Sequence, residues 1–320
     1  MTLAGVAATV GDGFRRLNDS AELRNAGVLT LGGTSVVDSY QNATLRNLAG
    51  ATLNATSGIT LTNYSGGNQF INEGTLTIGS SPGRLTVNYP FVQTSTGRLE
   101  VGVAGANPAT PQFDILKVNS SATLAGTLVA IPESGYQPPV GTTYEILSSQ
   151  TRIGTFNAVV SLNFDATYPT TGSPPVSLNN VVLVAREAST ELDFATWAEL
   201  HDLHGADAAA DADKDRDGSN NTVEYALNMD PRSADMPPVN FTREDFSGQT
   251  WLAIRYRRWD NRISAGLSYA GEWSVNLSTW NASGIIDETD TAAPLVAGSG
   301  ARICRVPADV ARKFLRLAFR

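Results

Sequence analysis

This 320-residue chain contains one cysteine, Cys304, and two histidines, His201 and His204. A lone cysteine excludes an internal disulfide framework and any zinc site built on thiolates. No apolar run approaches the ~20 residues that a membrane-spanning helix requires, so no membrane span is expected. The opening stretch, Met1 to Asp19, holds one weak apolar patch from Leu3 to Val10, broken by Gly5. It lacks the basic flank and the small-residue cleavage site of a secretory signal. The expectation is a fragment or a processed chain, exported to the cell surface or beyond, with its signal missing or upstream.

Charge is sparse, at 17% of residues, and unevenly spread. Residues 1–187 carry 11 acids and 9 bases, residues 188–235 carry 12 acids and 3 bases, and residues 236–320 carry 8 acids and 11 bases. Nearly all of the net charge of −8 therefore sits in the middle segment. The last segment is mildly basic but has no Lys/Arg stripe interleaved with base-stacking aromatics, which argues against nucleic acid as a partner. Three compositions predict three units: a repeat domain over 1–187, a helix with a metal loop over 188–237, and a β module over 238–320.

In the first segment three phrases recur: Leu23-Arg-Asn25-Ala-Gly27, Leu45-Arg-Asn47-Leu-Ala-Gly50 and Ile71-Asn72-Glu-Gly74, each followed by Leu alternating with Thr or small residues. The Asn positions lie 22 and 25 residues apart. Alternation of this kind is strand periodicity, and a repeat of 20–25 residues suggests a parallel β-solenoid whose coils bury an apolar row on their neighbours. A β-sandwich of similar hairpins is the competing reading. From Pro82 to Val184 the coils are expected to continue and to lengthen. The acids of this region, Asp38, Glu73, Glu100, Asp114, Glu133, Glu145 and Asp165, read as isolated residues on solvated faces. Histidine is absent before residue 201. No paired carboxylates for acid–base chemistry are evident, so no enzyme is expected here.

The sharpest chemical signal is Asp213-Lys-Asp215-Arg-Asp217-Gly218-Ser219-Asn-Asn221-Thr-Val-Glu224. It matches the calcium-loop pattern D-x-D-x-D-G-x5-E. Oxygen-bearing side chains fall at loop positions 1, 3, 5, 9 and 12, and Gly218 takes position 6, where the chain must turn sharply. Asp213, Asp215, Asp217 and Glu224 repel one another until a hard divalent cation joins them. The alternative is a solvated acidic linker. Before the loop, Leu192 to Leu203 has the 3–4 apolar spacing of an amphipathic helix, with Asp193 as N-cap and Gly205 as its stop. His201 and His204 read as surface residues, and Val223 to Asn228 as a short exit helix. From Val239 onward the chain alternates like an antiparallel sheet. Its Trp251, Trp259, Trp273 and Trp280 read either as a sugar-stacking platform or as core and rim anchors.

Several phrases carry resemblances. GTLTIGSSPGRLTV, QTSTGRLEV and FDILKVNSSATLAGTLVA resemble the solenoid repeats of autotransporter-passenger-like surface proteins of Gram-negative bacteria. FATWAELH followed by DADKDRDGSNNTVEYALNMDP is similar to the single calcium loops, related to dockerin and thrombospondin type 3 repeats, of exported proteins of environmental bacteria. LSYAGEWSVNLSTW and RKFLRLAF resemble a small β-sandwich module that often follows such loops. The resemblance implies a mainly-β, exported, multidomain surface protein. Its implied Ca²⁺ ligands are Asp213, Asp215, Asp217, Asn221 and Glu224 through side chains and Ser219 through its carbonyl. Asn220 stands at loop position 8, where paired loops carry an apolar residue, and no second loop is present. A lone rigid staple is therefore expected, in a structural or adhesive protein that assembles with copies of itself or meets surface glycans. A carbohydrate-binding appendage, or a piece of a polysaccharide-degrading enzyme, is the alternative.

Overall fold

The structure, a computed structural model, describes residues 2–10, 14–32, 36–79, 82–107, 112–133, 135–169, 179–189, 191–310 and 312–320. Ser80 and Ser81 of one quoted phrase lie outside them. The chain divides into two compact units, Met1–Ala188 and Ser189–Arg320. Among the described residues no helix is long and apolar enough to cross a membrane.

The first unit is a parallel β-solenoid with three rows of strands, as the repeat predicts. One row stacks the first half of Glu22–Leu31, then Thr44–Asn47, Gln69–Asn72 and Phe91–Gln93. The second stacks the other half of Glu22–Leu31, then Thr52–Ala55, Thr75–Ile78, Arg98–Val103 and Thr127–Pro132. The third runs from Phe14–Leu17 through Val36–Ser39, Ile59–Asn63 and Arg84–Val87 into Ile115–Leu124. Alternation points every second side chain inward, and identical register repeats each choice in the next coil. Leu29, Leu53, Leu76, Leu99 and Leu128 thus pair in direct succession and are 0% exposed. Full burial of a leucine is worth roughly 2–3 kcal/mol. Leu45, Phe70 and Phe91 form a like column, the two rings meeting edge-on at 5.3 Å.

The recurrent asparagines sit at the end of the first row and face inward. Asn25 Nδ2 donates to Asn47 Oδ1 at 2.8 Å, Asn47 Nδ2 to Asn72 Oδ1 at 2.9 Å, and Asn72 Nδ2 to Gln93 Oε1 at 3.1 Å. The same amides bond the carbonyls of Thr52, Thr75 and Arg98. The amides of Asn47 and Asn72 are satisfied by the coil before and the coil after, while Asn25 Oδ1 accepts from Gly27 N of its own coil; this pairing is why the motif recurs.

The last predicted segment departs from the coil pattern. Val181–Ala185 runs antiparallel to Thr143–Gly154 and to Phe164–Thr167. It closes the apolar interior with Val181, Leu183 and Ala185, a hairpin-like arrangement instead of a further turn of solenoid.

The second unit has a four-stranded antiparallel sheet (Asn240–Phe246, Gln249–Trp259, Ser299–Pro307, Ile286–Thr289) and a two-stranded one (Tyr269–Ser274, Phe314–Phe319). They form a small sandwich around Ile254, Tyr256 and Cys304, with Tyr269, Leu315 and Leu317 packed against them. Among the described residues three short α-helices, α1 (Phe194–Leu200), α2 (Asn221–Leu227) and α3 (Asp260–Ser264), and a 3-10 turn, Gly205–Ala208, accompany the sheets. Asp193 caps α1 by accepting from Thr196 N at 2.6 Å. The helix is shorter than the sequence suggests. Asp202 adopts φ 55° and Leu203 N returns to Ala198 O, a left-handed stop that ends α1 at His201 before Gly205 is reached.

Candidate metal centre

The acidic loop links α1 to α2. Gly218 turns it with φ +96°, a conformation that glycine adopts without a Cβ penalty. Three internal bonds then fix the carboxylates. Gly218 N donates to Asp213 Oδ2 at 3.1 Å, Asp217 N to Asp215 Oδ1 at 3.2 Å, and Ser219 N to Asp217 Oδ1 at 2.6 Å. Asp217 Oδ2 also accepts from Asp235 N at 3.0 Å. Asn220 ends the loop as N-cap of α2, accepting from Val223 N at 3.1 Å. This role suits the polar residue that the sequence places at position 8.

One oxygen from each of Asp213, Asp215 and Asp217 comes together within 4.8 Å of the others. Asp213 and Asp215 each commit one oxygen to the loop backbone and leave the other, Oδ1 and Oδ2 respectively, buried without a hydrogen-bond partner. Glu224, on α2, is 1% exposed, and both of its oxygens are likewise unpartnered. It lies outside the close aspartate set but within its field: burial first, then the charges of Asp215, Asp217 and Asp213, push its carboxyl up to about 7. Burial, with Asp217 and Asp213, raises the Asp215 carboxyl as well, against the backbone amide of Asp217, which lowers it. Asp217 moves the other way, held down chiefly by the Ser219 amide.

Asn221 is fully buried and ties the loop to its approach, Nδ2 donating to Asp207 O and Ala209 O, both at 2.7 Å, while Oδ1 has no partner. Ser219 is buried between Gly218 and the cap of α2. The donor set is oxygen throughout and suits a hard cation such as Ca²⁺. The two histidines take no part. His201 lies against Trp197 and 3.7 Å from Asp230, and His204 bonds Asp202 at 2.8 Å.

Helix α2 is anchored to the β sandwich by groups that periodicity does not reveal. Arg262, on α3, is 3% exposed and donates to Tyr225 O at 3.2 Å and Asn228 Oδ1 at 2.8 Å. Tyr269 donates its hydroxyl to Ala226 O at 2.7 Å. The loop is therefore wired through α2 to the sheets.

Elsewhere the acids are less isolated than the sequence implies. Glu22, Arg46 and Glu73 form a ladder across three coils, Arg46 bonding the two carboxylates at 2.7 and 2.6 Å. Glu100, Asp114 and Glu133 border one recess of about 510 Å³; the lengthened coil between residues 103 and 115 hides that convergence from any fixed-period reading. Asp114 gives both oxygens to backbone amides, of Gly83 at 2.6 Å and Gly102 at 2.8 Å, and Glu100 is bonded by Arg98 at 2.7 Å.

The tryptophans of the sandwich are dispersed in role. Trp251 is buried edge-on to Phe246, Trp273 has the Lys313 ammonium 4.4 Å above its ring, and Trp280 has the Arg316 guanidinium at 4.0 Å. Compared with family models, curated proteins and solved structures, the chain matches none.

Proposed function

We propose that this is a calcium-stabilised extracellular protein with a structural or adhesive role and no catalysis. The reading rests on the loop: buried, unpartnered oxygens on Asp213, Asp215 and Glu224 stand at the positions that a calcium loop uses. Such a charge arrangement is unfavourable alone and favourable around a cation. Because α2 is fastened by Arg262 and Tyr269, bound calcium would brace the sandwich as well as the loop. The Kd expected of a single loop of this type is of order 10⁻⁴ to 10⁻⁶ M. Partners on this reading are copies of the chain or surface glycans.

Calorimetry tests it. One Ca²⁺ per chain is expected, and Glu224→Ala should weaken binding by about a hundredfold, as loss of the bidentate position-12 ligand does. Equal affinity in both proteins refutes the site. Sedimentation at several concentrations with calcium present reads whether the chain associates with itself.

A further inference from the structure

The solenoid carries an aromatic stack that the metal loop does not involve. Tyr40 and Tyr64, at equivalent corners of successive coils, stack with ring centroids 4.8 Å apart and planes within 5°. The Arg16 guanidinium lies 4.8 Å over Tyr40, and Tyr64 is 54% exposed. A large exposed aromatic in such a stack is held flat and ready to receive another planar or apolar face.

Directly after these residues the same corners build a polar recess of about 500 Å³, lined by Asp19, Ser20, Gln41, Asn42, Ser65 and Gly66. Asp19, Ser20, Gln41 and Asn42 all have left-handed backbones, with φ between 50° and 65°. Such strain in non-glycine residues persists only where surrounding structure enforces it. Here the corners are laced together: Ser20 N donates to Gln41 O at 2.7 Å, Gln41 N to Ser65 Oγ at 2.6 Å, and Asn42 N to Gly66 O at 3.2 Å. A Cβ on Gly67 would stand 1.7 Å from Asn42 Oδ1, so glycine there makes room for the Asn42 amide. The Asp19 carboxylate and the Gln41 side-chain amide bond no other described residue.

We propose that this corner binds a linear, neutral oligosaccharide. One sugar face would stack on Tyr64, while hydroxyls, which both donate and accept, would meet Asp19, Gln41 and Asn42. Asp19 is the one charged group lining the recess and disfavours uronic acids. This site deepens the adhesive reading by giving it a ligand class, and it is independent of the cation.

The test uses the whole chain and calorimetric titration with cellohexaose, chitohexaose, maltohexaose and, as the acidic arm, hexagalacturonate. At least one neutral hexasaccharide should bind. Tyr64→Ala should weaken it by about tenfold or more, Tyr64→Phe should retain it, and Asp19→Ala should weaken it. The Trp273→Ala/Trp280→Ala double variant should match the parent, as should parent protein in EGTA. The proposal is overturned if no neutral hexasaccharide binds at 10 mM, if hexagalacturonate binds best, if binding survives Tyr64→Ala, or if EGTA abolishes it. Absence of calcium binding would refute the metal reading and leave these expectations unchanged.

Discussion

Replacing Glu224 with glutamine should have opposite effects on stability with and without calcium. In the cation-free protein at pH 8 the Glu224 carboxylate is held ionised although its carboxyl is pushed up to about 7 from an ordinary 4.5. Each tenfold in proton affinity is worth ~1.4 kcal/mol, which places the cost near 3 kcal/mol; solvent reaching the partly exposed aspartates reduces it to ~2 kcal/mol. Glutamine removes that charge while keeping the side chain's shape. Glu224→Gln should therefore stabilise the calcium-free second unit by ~2 kcal/mol, raising its Tm by roughly 8 °C for a unit of this size. The same cost predicts the pH dependence of the parent. Its folded carboxyl takes up a proton near pH 7 and the unfolded one near 4.5, so calcium-free stability rises as pH falls through 7 and levels off below 4.5. Calcium inverts the order. At a Kd of ~10⁻⁵ M, 1 mM calcium adds ~2.7 kcal/mol to the parent, and less than ~0.5 to a variant binding a hundredfold more weakly. All five tryptophans lie beyond residue 188, so thermal melts followed by tryptophan fluorescence read the second unit alone. A lower calcium-free Tm for Glu224→Gln, or an equal gain from calcium in both proteins, refutes the reasoning.

Chelation should open the second unit at residues 205–215 and loosen α2 and α3, leaving the solenoid intact; limited proteolysis with and without EGTA checks this, and cleavage spread evenly along the chain counts against it. Asn47→Ala should cost ~3 kcal/mol, because it strands the Asn25 and Asn72 amides and the Thr75 carbonyl inside the wall. Thr60→Ala, on the half-buried outer side, should cost less than ~0.5 kcal/mol; urea unfolding followed by far-UV circular dichroism compares them, and equal costs would dismiss the ladder. Incubation with common polysaccharides should release no new ends, since Asp114 and Glu100 in the acidic recess are committed to backbone amides and to Arg98. Turnover abolished by Glu133→Gln would contradict that.

The solenoid was legible because each coil repeats one solution to one problem. Asn25, Asn47 and Asn72 recur at near-constant spacing since each amide must reach the next, and the leucines recur since each must land on its predecessor. The turn of the acidic loop and the clustering of Asp213, Asp215 and Asp217 were legible for a related reason: their bonds are local, so sequence spacing is spatial spacing. What was hidden depends on non-local geometry. The Glu100, Asp114 and Glu133 recess crosses a lengthened coil, Arg262 is buried where an arginine normally meets water, and Tyr40 with Tyr64 sit at corners whose residues are otherwise variable. The end of α1 at His201 escaped notice because Asp202, not a glycine, takes the left-handed position.

The amide ladder also determines how the first unit would yield under load. Each coil of 22 or 25 residues is held only by the coil before and the coil after it, so tension applied along the chain would peel coils singly, each releasing about 75–85 Å of extended backbone. Coils such as those holding Asn47 and Asn72, with amides on both sides, would resist longest, and the released length would spare the rest. A wall built in this way behaves less like a rigid rod than like a shock absorber with numbered steps.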